Sequence, residues 1–322
     1  MFDTVIIGSG PAGLSAAIYA SRAALNYVVL EKAGYSGGQI VTTNDLDNYP
    51  GMPNIDGASF SMALQAHAEK LGATIKEAEV LAIHKNEDSS YSIEIKNQDT
   101  LLTKSVILAT GASPRTLNIP GEQEFLSRGV YYCATCDGAF YRNKITAVIG
   151  GGNTALEDVL FLAKICQKVY LIHRRDELRG DKHTQEKVLA LPNVEFIKSA
   201  IPKIIKGDKK VSSIEIEYKN TGEVADISVD GIFVAVGMIP NNYLVPDFVN
   251  TDTSGYVIAD ESGTTNAPGF FVAGDLRTKD LRQVITAASD GANAIKSVTD
   301  YLNNLWWKLL CLLSVIMSFL DF

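Results

Sequence analysis

The sequence predicts an α/β protein built of two Rossmann-like nucleotide-binding domains, the second inserted into the first. Three observations lead there. A glycine fingerprint, Gly8-Ser9-Gly10-Pro11-Ala12-Gly13, follows an apolar run at the start of the chain. A second fingerprint, Gly150-Gly151-Gly152-Asn153-Thr154-Ala155, opens a similar pattern near the middle. Apolar runs ending in glycine close each half, at 106–111 and 232–237, yet a further one, at 270–275, comes only after the second half is complete. The chain therefore divides into a discontinuous domain of residues 1–114 and 246–322 and a continuous domain of residues 115–245.

The elements follow in order. Residues 3–8 are apolar and end in glycine, which suits a buried strand. Residues 11–24 are rich in Ala, Leu and Ile and begin with proline, as a helix start favours. A β-branched run at 27–31 completes a βαβ unit of about 30 residues. Residues 34–57 hold many Gly, Asn, Asp and Pro and read as loop; 58–71 is patterned as an amphipathic helix. From 80 to 108, short alternating runs predict strands with turns near 86–90 and 97–100. Residues 112–120 are an extended linker with two prolines. The second βαβ unit takes 145–150 as strand, 154–165 as helix and 168–172 as strand. Residues 194–216 are strand-like, 270–275 is another buried strand, and 283–303 is a long helix.

Composition bounds the function. The chain has 322 residues, enough for two domains. With 46% hydrophobic and 20% charged residues it can build packed cores and is not disordered. A formal net charge of −8 argues against general nucleic-acid binding, which needs a basic face. Four cysteines in this length do not make a secreted disulfide framework. No basic stretch precedes the first strand, so no signal peptide is expected and a cytoplasmic location follows. At the far end, residues 305–322 form an apolar tail. Its 12 residues 309–320 carry no charge before Asp321, which is short of the roughly 18–20 that span a bilayer. Trp306, Trp307 and Lys308 suit an interface, but a buried docking helix or a reading-frame artefact is the preferred reading over a membrane anchor.

In the first fingerprint Gly8 allows a tight turn out of the strand. Gly10 lets backbone approach a pyrophosphate, and Gly13 lets helix and strand pack closely. Pro11 and Ala12 open the helix, whose N-terminal N–H groups and dipole favour a phosphate. Glu31 lies 18 residues beyond Gly13, at the end of the next strand. A carboxylate there accepts hydrogen bonds from ribose hydroxyls and repels a 2′-phosphate, so this site suits FAD or NAD rather than NADP. The second fingerprint has Ala155 in the third glycine place, which the motif tolerates. Its acid is missing. His173-Arg174-Arg175-Asp176 stands there instead, followed by Arg179, with Arg174 19 residues beyond Ala155. Guanidinium groups grip phosphate bidentately and keep their charge, so this site suits NADPH rather than NADH.

Between the fingerprints lies Cys133-Ala134-Thr135-Cys136-Asp137-Gly138. A CxxC pair lowers thiol pKa and closes to a disulfide. Zinc would need four ligands, and neither a second CxxC nor a paired histidine motif exists, so no metal is expected. A thioredoxin fold is disfavoured because its CxxC has no nucleotide motifs beside it. Asp137 is a candidate proton donor or acceptor for the dithiol. Cys166 reads as a buried structural thiol, and Cys311 in the tail needs no function. Gly274-Asp275 ends a strand aimed at the first nucleotide site, where an Asp suits a ribityl chain. Arg282-Gln283 begins the last helix, whose N-terminus would stabilise an anionic reduced flavin.

Taken together, these residues resemble a low-molecular-weight, NADPH-dependent thioredoxin reductase of the bacterial type, with pyridine nucleotide-disulfide oxidoreductase-like architecture. The resemblance covers residues 1–303 and includes Gly37-Gly38-Gln39, Asn48-Tyr49-Pro50-Gly51 and Ala109-Thr110-Gly111 besides the motifs above. It implies FAD in the discontinuous domain, on residues 8–13, Glu31, Gly38, Gln39, Asn48, Ala109, Thr110, Gly111, Gly274, Asp275, Arg282 and Gln283. It implies NADPH in the inserted domain, on residues 150–155, His173, Arg174, Arg175 and Arg179. Hydride would pass from NADPH to the flavin, and the reduced flavin would open a Cys133–Cys136 disulfide. Cys136 would face the flavin, Cys133 would attack thioredoxin, and Asp137 would be the acid. Rotation of the inserted domain and a homodimer are further expectations. Members of this family usually end near Tyr301-Leu302, so the tail departs from the pattern. Rival readings are a same-fold flavoenzyme fed by reduced ferredoxin, a reductase of another disulfide protein, and a nucleotide-binding redox sensor.

Overall fold

The computed structural model describes the chain except Asn44, Asp45, Asp47 and residues 321–322, with side chains described up to residue 307. It divides into two compact units. Unit 1 comprises Met1–Val41, Gly57–Ser113 and Ile239–Phe322; unit 2 comprises Thr42–Asp56 and Pro114–Met238.

Unit 1 begins with β1 (Thr4–Ile7), α1 (Pro11–Arg22) and β2 (Tyr27–Glu31), the expected βαβ unit. The helix stops two residues earlier than the sequence suggests because Ala24 turns left-handed at φ 53°, with its N–H on Ser21 C=O. A short 3-10 helix, Gly38–Thr42, lies within the expected loop. Then come α2 (Gly57–Lys70), β3 (Ile75–Glu77), β4 (Val80–Lys85), β5 (Tyr91–Ile95), β6 (Leu101–Thr103), β7 (Val106–Leu108) and β8 (Ala112–Pro114). The chain continues into unit 2 with β9 (Val130–Tyr131), α3 (Ala134–Asp137), β10 (Ile145–Gly150), α4 (Asn153–Leu162), β11 (Lys168–Ile172), α5 (Lys182–Leu189), β12 (Val194–Ile197), β13 (Ala200–Gly207), β14 (Val211–Tyr218), β15 (Val224–Ser228) and β16 (Gly231–Ala235). After β17 (Met238–Pro240), which pairs with β8, the chain returns for β18 (Phe270–Val272) and α6 (Val284–Leu320).

The main sheet of unit 1 is parallel, in the order β18-β7-β1-β2-β3. Phe270 pairs with Val106, so the strand that follows unit 2 completes the sheet begun before it. Parallel strands covered on both faces must be apolar at successive positions, and the side chains of β1 divide accordingly. Ile6 joins Val29, Ile107 and Phe271 under α1 and α6, while Val5 and Ile7 meet Ile83, Tyr91 and Ile93 of the antiparallel β4-β5-β6 sheet. Unit 2 repeats the plan. Its parallel sheet runs β12-β11-β10-β16-β9. Val148, Leu171 and Phe233 pack under α4, and Ala147, Ile149 and Ile232 pack on the β13-β14-β15 sheet.

The last helix is longer than expected, reaching Leu320. No helix among the described residues is long and apolar enough to cross a membrane. The docking expected of residues 308–320 lies outside the described side chains.

Candidate active site

The first fingerprint connects β1 to α1. Gly8 sits at φ 103°, and a Cβ there would come within 2.5 Å of the Ala109 carbonyl oxygen, where β7 ends. A Cβ on Gly13 would stand 1.9 Å from the Gly8 oxygen, so only glycine lets α1 seat on this turn. Gly10 is open by contrast, its nearest neighbour being Gly37 O at 3.9 Å. The Gly37 N–H donates to Ser9 C=O at 2.9 Å and brings Gly38 alongside Gly10. Pro11 and Ala12 begin α1 behind an extended Gly10 cap.

Glu31, at the end of β2, reaches back to this loop. Its Oε2 accepts the Ser9 N–H at 2.8 Å and the Ser9 hydroxyl at 2.7 Å, and its Oε1 accepts the Ala33 N–H at 2.9 Å. The acid thus braces the fingerprint and keeps acceptor capacity to spare, since an ionised carboxylate offers about four lone-pair sites.

Asp275 follows Gly274, which holds φ 79° after β18. Gln39 Nε2 donates to Asp275 Oδ2 at 3.0 Å, while the buried Oδ1 has no hydrogen-bond partner among the described residues. Burial pushes the Asp275 carboxyl above its ordinary range, against the pull of Lys279 and Arg282. A buried acceptor without a donor costs free energy, so this oxygen fits a hydroxyl of a bound flavin's polyol chain. Behind it stands a network that the sequence reading missed. Asp290 of α6, 2% exposed, accepts the Gly274 N–H at 2.9 Å, the Arg277 Nε at 2.9 Å and the Lys279 Nζ at 2.8 Å. The interruption of an otherwise apolar helix face by Asp290 was the available signal.

Thr110 Oγ1 donates to Asn241 C=O at 2.7 Å, and Gly111, at φ 68°, has open space where a Cβ would be. Arg282 stacks over Tyr256 at 4.0 Å, and the Gln283 N–H donates to Thr286 Oγ1 at 3.1 Å just before α6. All these residues belong to unit 1. Asn48 falls in Thr42–Asp56, the segment grouped with unit 2.

In unit 2, Cys133 and Cys136 form a disulfide across the first turn of α3. Both are half-buried, and the Asp137 N–H donates to Cys133 C=O at 3.1 Å. Asp137 itself is 4% exposed. A Cβ on Gly138 would meet Phe161 at 2.8 Å and Leu162 at 2.9 Å, so the dithiol segment packs directly on α4. There Asp158 accepts the Ala134 N–H, and burial, assisted by Glu157, raises its carboxyl to about 7. The sequence reading missed Asp158, although its place among Ala155, Leu156, Val159 and Leu162 marks a charge on a buried face. Cys166 is the buried free thiol expected.

α4 also carries the second fingerprint at its N-terminus. A Cβ on Gly150 would be 2.4 Å from Ala235 O and 2.8 Å from the Ala155 Cβ, so β10, β16 and α4 converge there. Gly152, the extended N-cap, has nothing within 4 Å. That opening at a helix N-terminus is where backbone N–H groups can meet phosphate. The arginine segment is pinned to the same loop. The Arg179 N–H donates to Gly151 C=O at 2.7 Å, and the Asp181 N–H to Asn153 Oδ1 at 2.7 Å. Thr154 follows Asn153 in the first turn of α4. The His173 ring covers Gly151, 2.5 Å from where a Cβ would sit. Burial, then the charges of Arg179, Arg174 and Arg175, lower its pKa, so the ring is neutral near pH 7. Arg174, Arg175 and Arg179 are exposed and make no ion pair among the described residues. The donor set thus fits a phosphate-bearing nucleotide. No cluster of metal-ligating residues occurs among the described residues.

The comparisons with known proteins agree with this geometry. The family model for pyridine nucleotide-disulphide oxidoreductases matches residues 2–291. A thioredoxin reductase of Treponema pallidum is 42% identical over 305 residues, covering 94% of this chain and 98% of that one. One of Helicobacter pylori is 41% identical, covering 94% of this chain and all of its own. The crystal structure of thioredoxin reductase from Streptococcus pyogenes superposes with a TM-score of 0.88 at 41% identity, over 94% of this chain and 99% of that one.

Proposed function

Because the chain belongs to the pyridine nucleotide-disulphide oxidoreductase family, we propose that it is an NADPH-dependent thioredoxin reductase that works through FAD. The observation that carries this reading is the seating of the Cys133–Cys136 disulfide on α4, whose N-terminus is the open, arginine-flanked fingerprint. When bound, the nicotinamide and the flavin together supply a hydride, which with one proton converts the disulfide to two thiols.

The protein's own residues do the rest. The first fingerprint, with Glu31, Gly38 and Gln39, would hold FAD, and Asp275 would take a hydroxyl of its polyol chain. Ala109, Thr110, Gly111, Arg282 and Gln283 of unit 1 would complete that set. The second fingerprint would take the NADPH pyrophosphate at the α4 N-terminus, and Arg174, Arg175 and Arg179 its 2′-phosphate. His173, neutral and over Gly151, shapes the floor of that site. Asp137 would hold the proton that a thiolate of the pair gains or loses. Cys133 attacks the thioredoxin disulfide to give a mixed disulfide and releases one thioredoxin thiol. Cys136 then displaces the second and restores the Cys133–Cys136 bond. The division into a FAD unit and an NADPH unit, a homodimer and a cytoplasmic location belong to the same reading.

Steady-state NADPH oxidation with oxidised thioredoxin tests it. Turnover with NADPH, abolished in Cys136→Ser while flavin bleaching persists, is the expected result. No turnover with NADPH, but turnover with reduced ferredoxin, would support the alternative-donor reading.

A further inference from the structure

Ser199 is a small polar residue held in an unfavourable conformation. It lies between β12 and β13 at φ 50°, a region that non-glycine residues seldom adopt, and it is 7% exposed. Such a conformation persists only where its surroundings over-determine it. Here they do. The Ser199 N–H donates to Arg175 C=O at 3.1 Å, and its own C=O accepts the Lys219 N–H at 2.8 Å. On either side, the His173 N–H donates to Ile197 C=O and the Ala200 N–H to His173 C=O, each at 3.0 Å. The hydroxyl then donates to Asp176 Oδ1 at 2.5 Å.

Asp176 is the residue that this last bond controls. It directly follows Arg174-Arg175 and stands three residues before Arg179. An exposed carboxylate so placed can fold onto any of the three guanidiniums and occupy the donors that a phosphate would use. Among the described residues none of the three is in an ion pair, and the Asp176 carboxylate turns to Ser199 instead. Glu177, the other carboxylate of the segment, hydrogen-bonds through its backbone to the His173 ring.

We propose that the Ser199–Asp176 hydrogen bond sets nucleotide selectivity, by holding an internal carboxylate off the arginines that bind the 2′-phosphate. Ser199 is a positioning residue, and the proposal rests on the NADPH reading of that site. Removing its hydroxyl releases Asp176 to compete with the phosphate. A nucleotide lacking the 2′-phosphate is indifferent.

Calorimetric titration of NADP+ and NAD+ into the purified holoenzyme tests this. Ser199→Gly is the informative variant, because glycine takes the positive φ without strain and removes the short side chain that carries the hydroxyl. The Kd for NADP+ rises about fivefold, the scale on which one exposed carboxylate competes for a guanidinium, and the Kd for NAD+ stays unchanged. Adding Asp176→Asn to Ser199→Gly restores the NADP+ affinity, which a merely structural role for Ser199 would not allow. An unchanged NADP+ Kd in Ser199→Gly, an equal loss for both nucleotides, or no rescue by Asp176→Asn overturns the proposal while leaving the NADPH reading intact. Equal affinity of the unmodified enzyme for NADP+ and NAD+ overturns that reading and the proposal with it.

Discussion

The two glycine fingerprints share one scaffold and differ in what they leave open. Both run strand, turn and helix, and both need glycine where helix and strand converge, at Gly8 and Gly13 in one and at Gly150 in the other. In the first, Glu31 reaches back and braces the loop through Ser9. In the second, no acid returns, Gly152 is open, and the arginine segment is tied down through Arg179 and Gly151. The helices differ too: α1 buries no charged residue, whereas α4 buries Asp158 against the dithiol segment. On the proposed reading, the glycines let a nucleotide approach and the residues at the end of the second strand select the charge it carries.

The comparison breaks most sharply at the glycines. Gly13→Val places side-chain atoms on backbone and should destabilise unit 1 by about 3 kcal/mol or more, with loss of bound flavin. Gly152→Ala, where space is open, should change stability by less than about 1 kcal/mol while weakening nucleotide binding. Thermal unfolding and flavin content check both, and an equal loss of stability in the two would contradict the contrast.

The buried acid of α4 comes next. A carboxyl raised from 3.8 to about 7 in the folded state binds its proton more tightly there than in the unfolded chain. Its stabilising contribution is therefore full below about pH 4 and lost as pH rises through about 7. Asp158→Asn should raise stability at pH 8 by on the order of 3 kcal/mol and leave it nearly unchanged at pH 4. Denaturant unfolding at the two pH values reads this directly. A pH-independent difference would mean that Asp158 is not the group that titrates.

Replacing Arg174, Arg175 and Arg179 together by Gln should reduce the preference for NADPH over NADH by about 100-fold, since charge-assisted bonds to phosphate contribute about 1.5–3 kcal/mol each and share one ligand. The kcat/KM ratio for the two nucleotides measures it, and a preserved ratio would move the 2′-phosphate elsewhere. The smallest effect is expected of Glu31→Gln. It turns an amide toward donors at Ser9 and Ala33 and should cost about 1–2 kcal/mol of stability, with weaker flavin retention.

Much of this was legible in the sequence wherever local pattern and tertiary demand coincide. Strands 145–150 and 168–172 match the observed β10 and β11 because a parallel strand covered on both faces is a continuous apolar run. β3, Ile75–Glu77, was missed because three residues with one apolar member carry no period. The α1 terminus was overrun because the left-handed turn at Ala24 has no glycine to announce it. The motif residues were readable because each stands at a fixed offset in the chain from a glycine turn. Asp158, Asp290 and Ser199 were not, since no motif sets their offset from the backbone or carboxyl group each acts on, 16 to 24 residues away in the chain. Only the folded arrangement shows that Ser199 holds Asp176 or that Asp290 holds Gly274.

The most direct test of the charge-sorting account is a stopped-flow comparison of flavin bleaching in the unmodified protein with equal concentrations of NADPH and NADH. The account predicts bleaching by NADPH at least about tenfold faster, the effect of roughly one charge-assisted contact to the 2′-phosphate. Equal rates would contradict it, because the arginines at the end of β11 would then not be selecting the nucleotide.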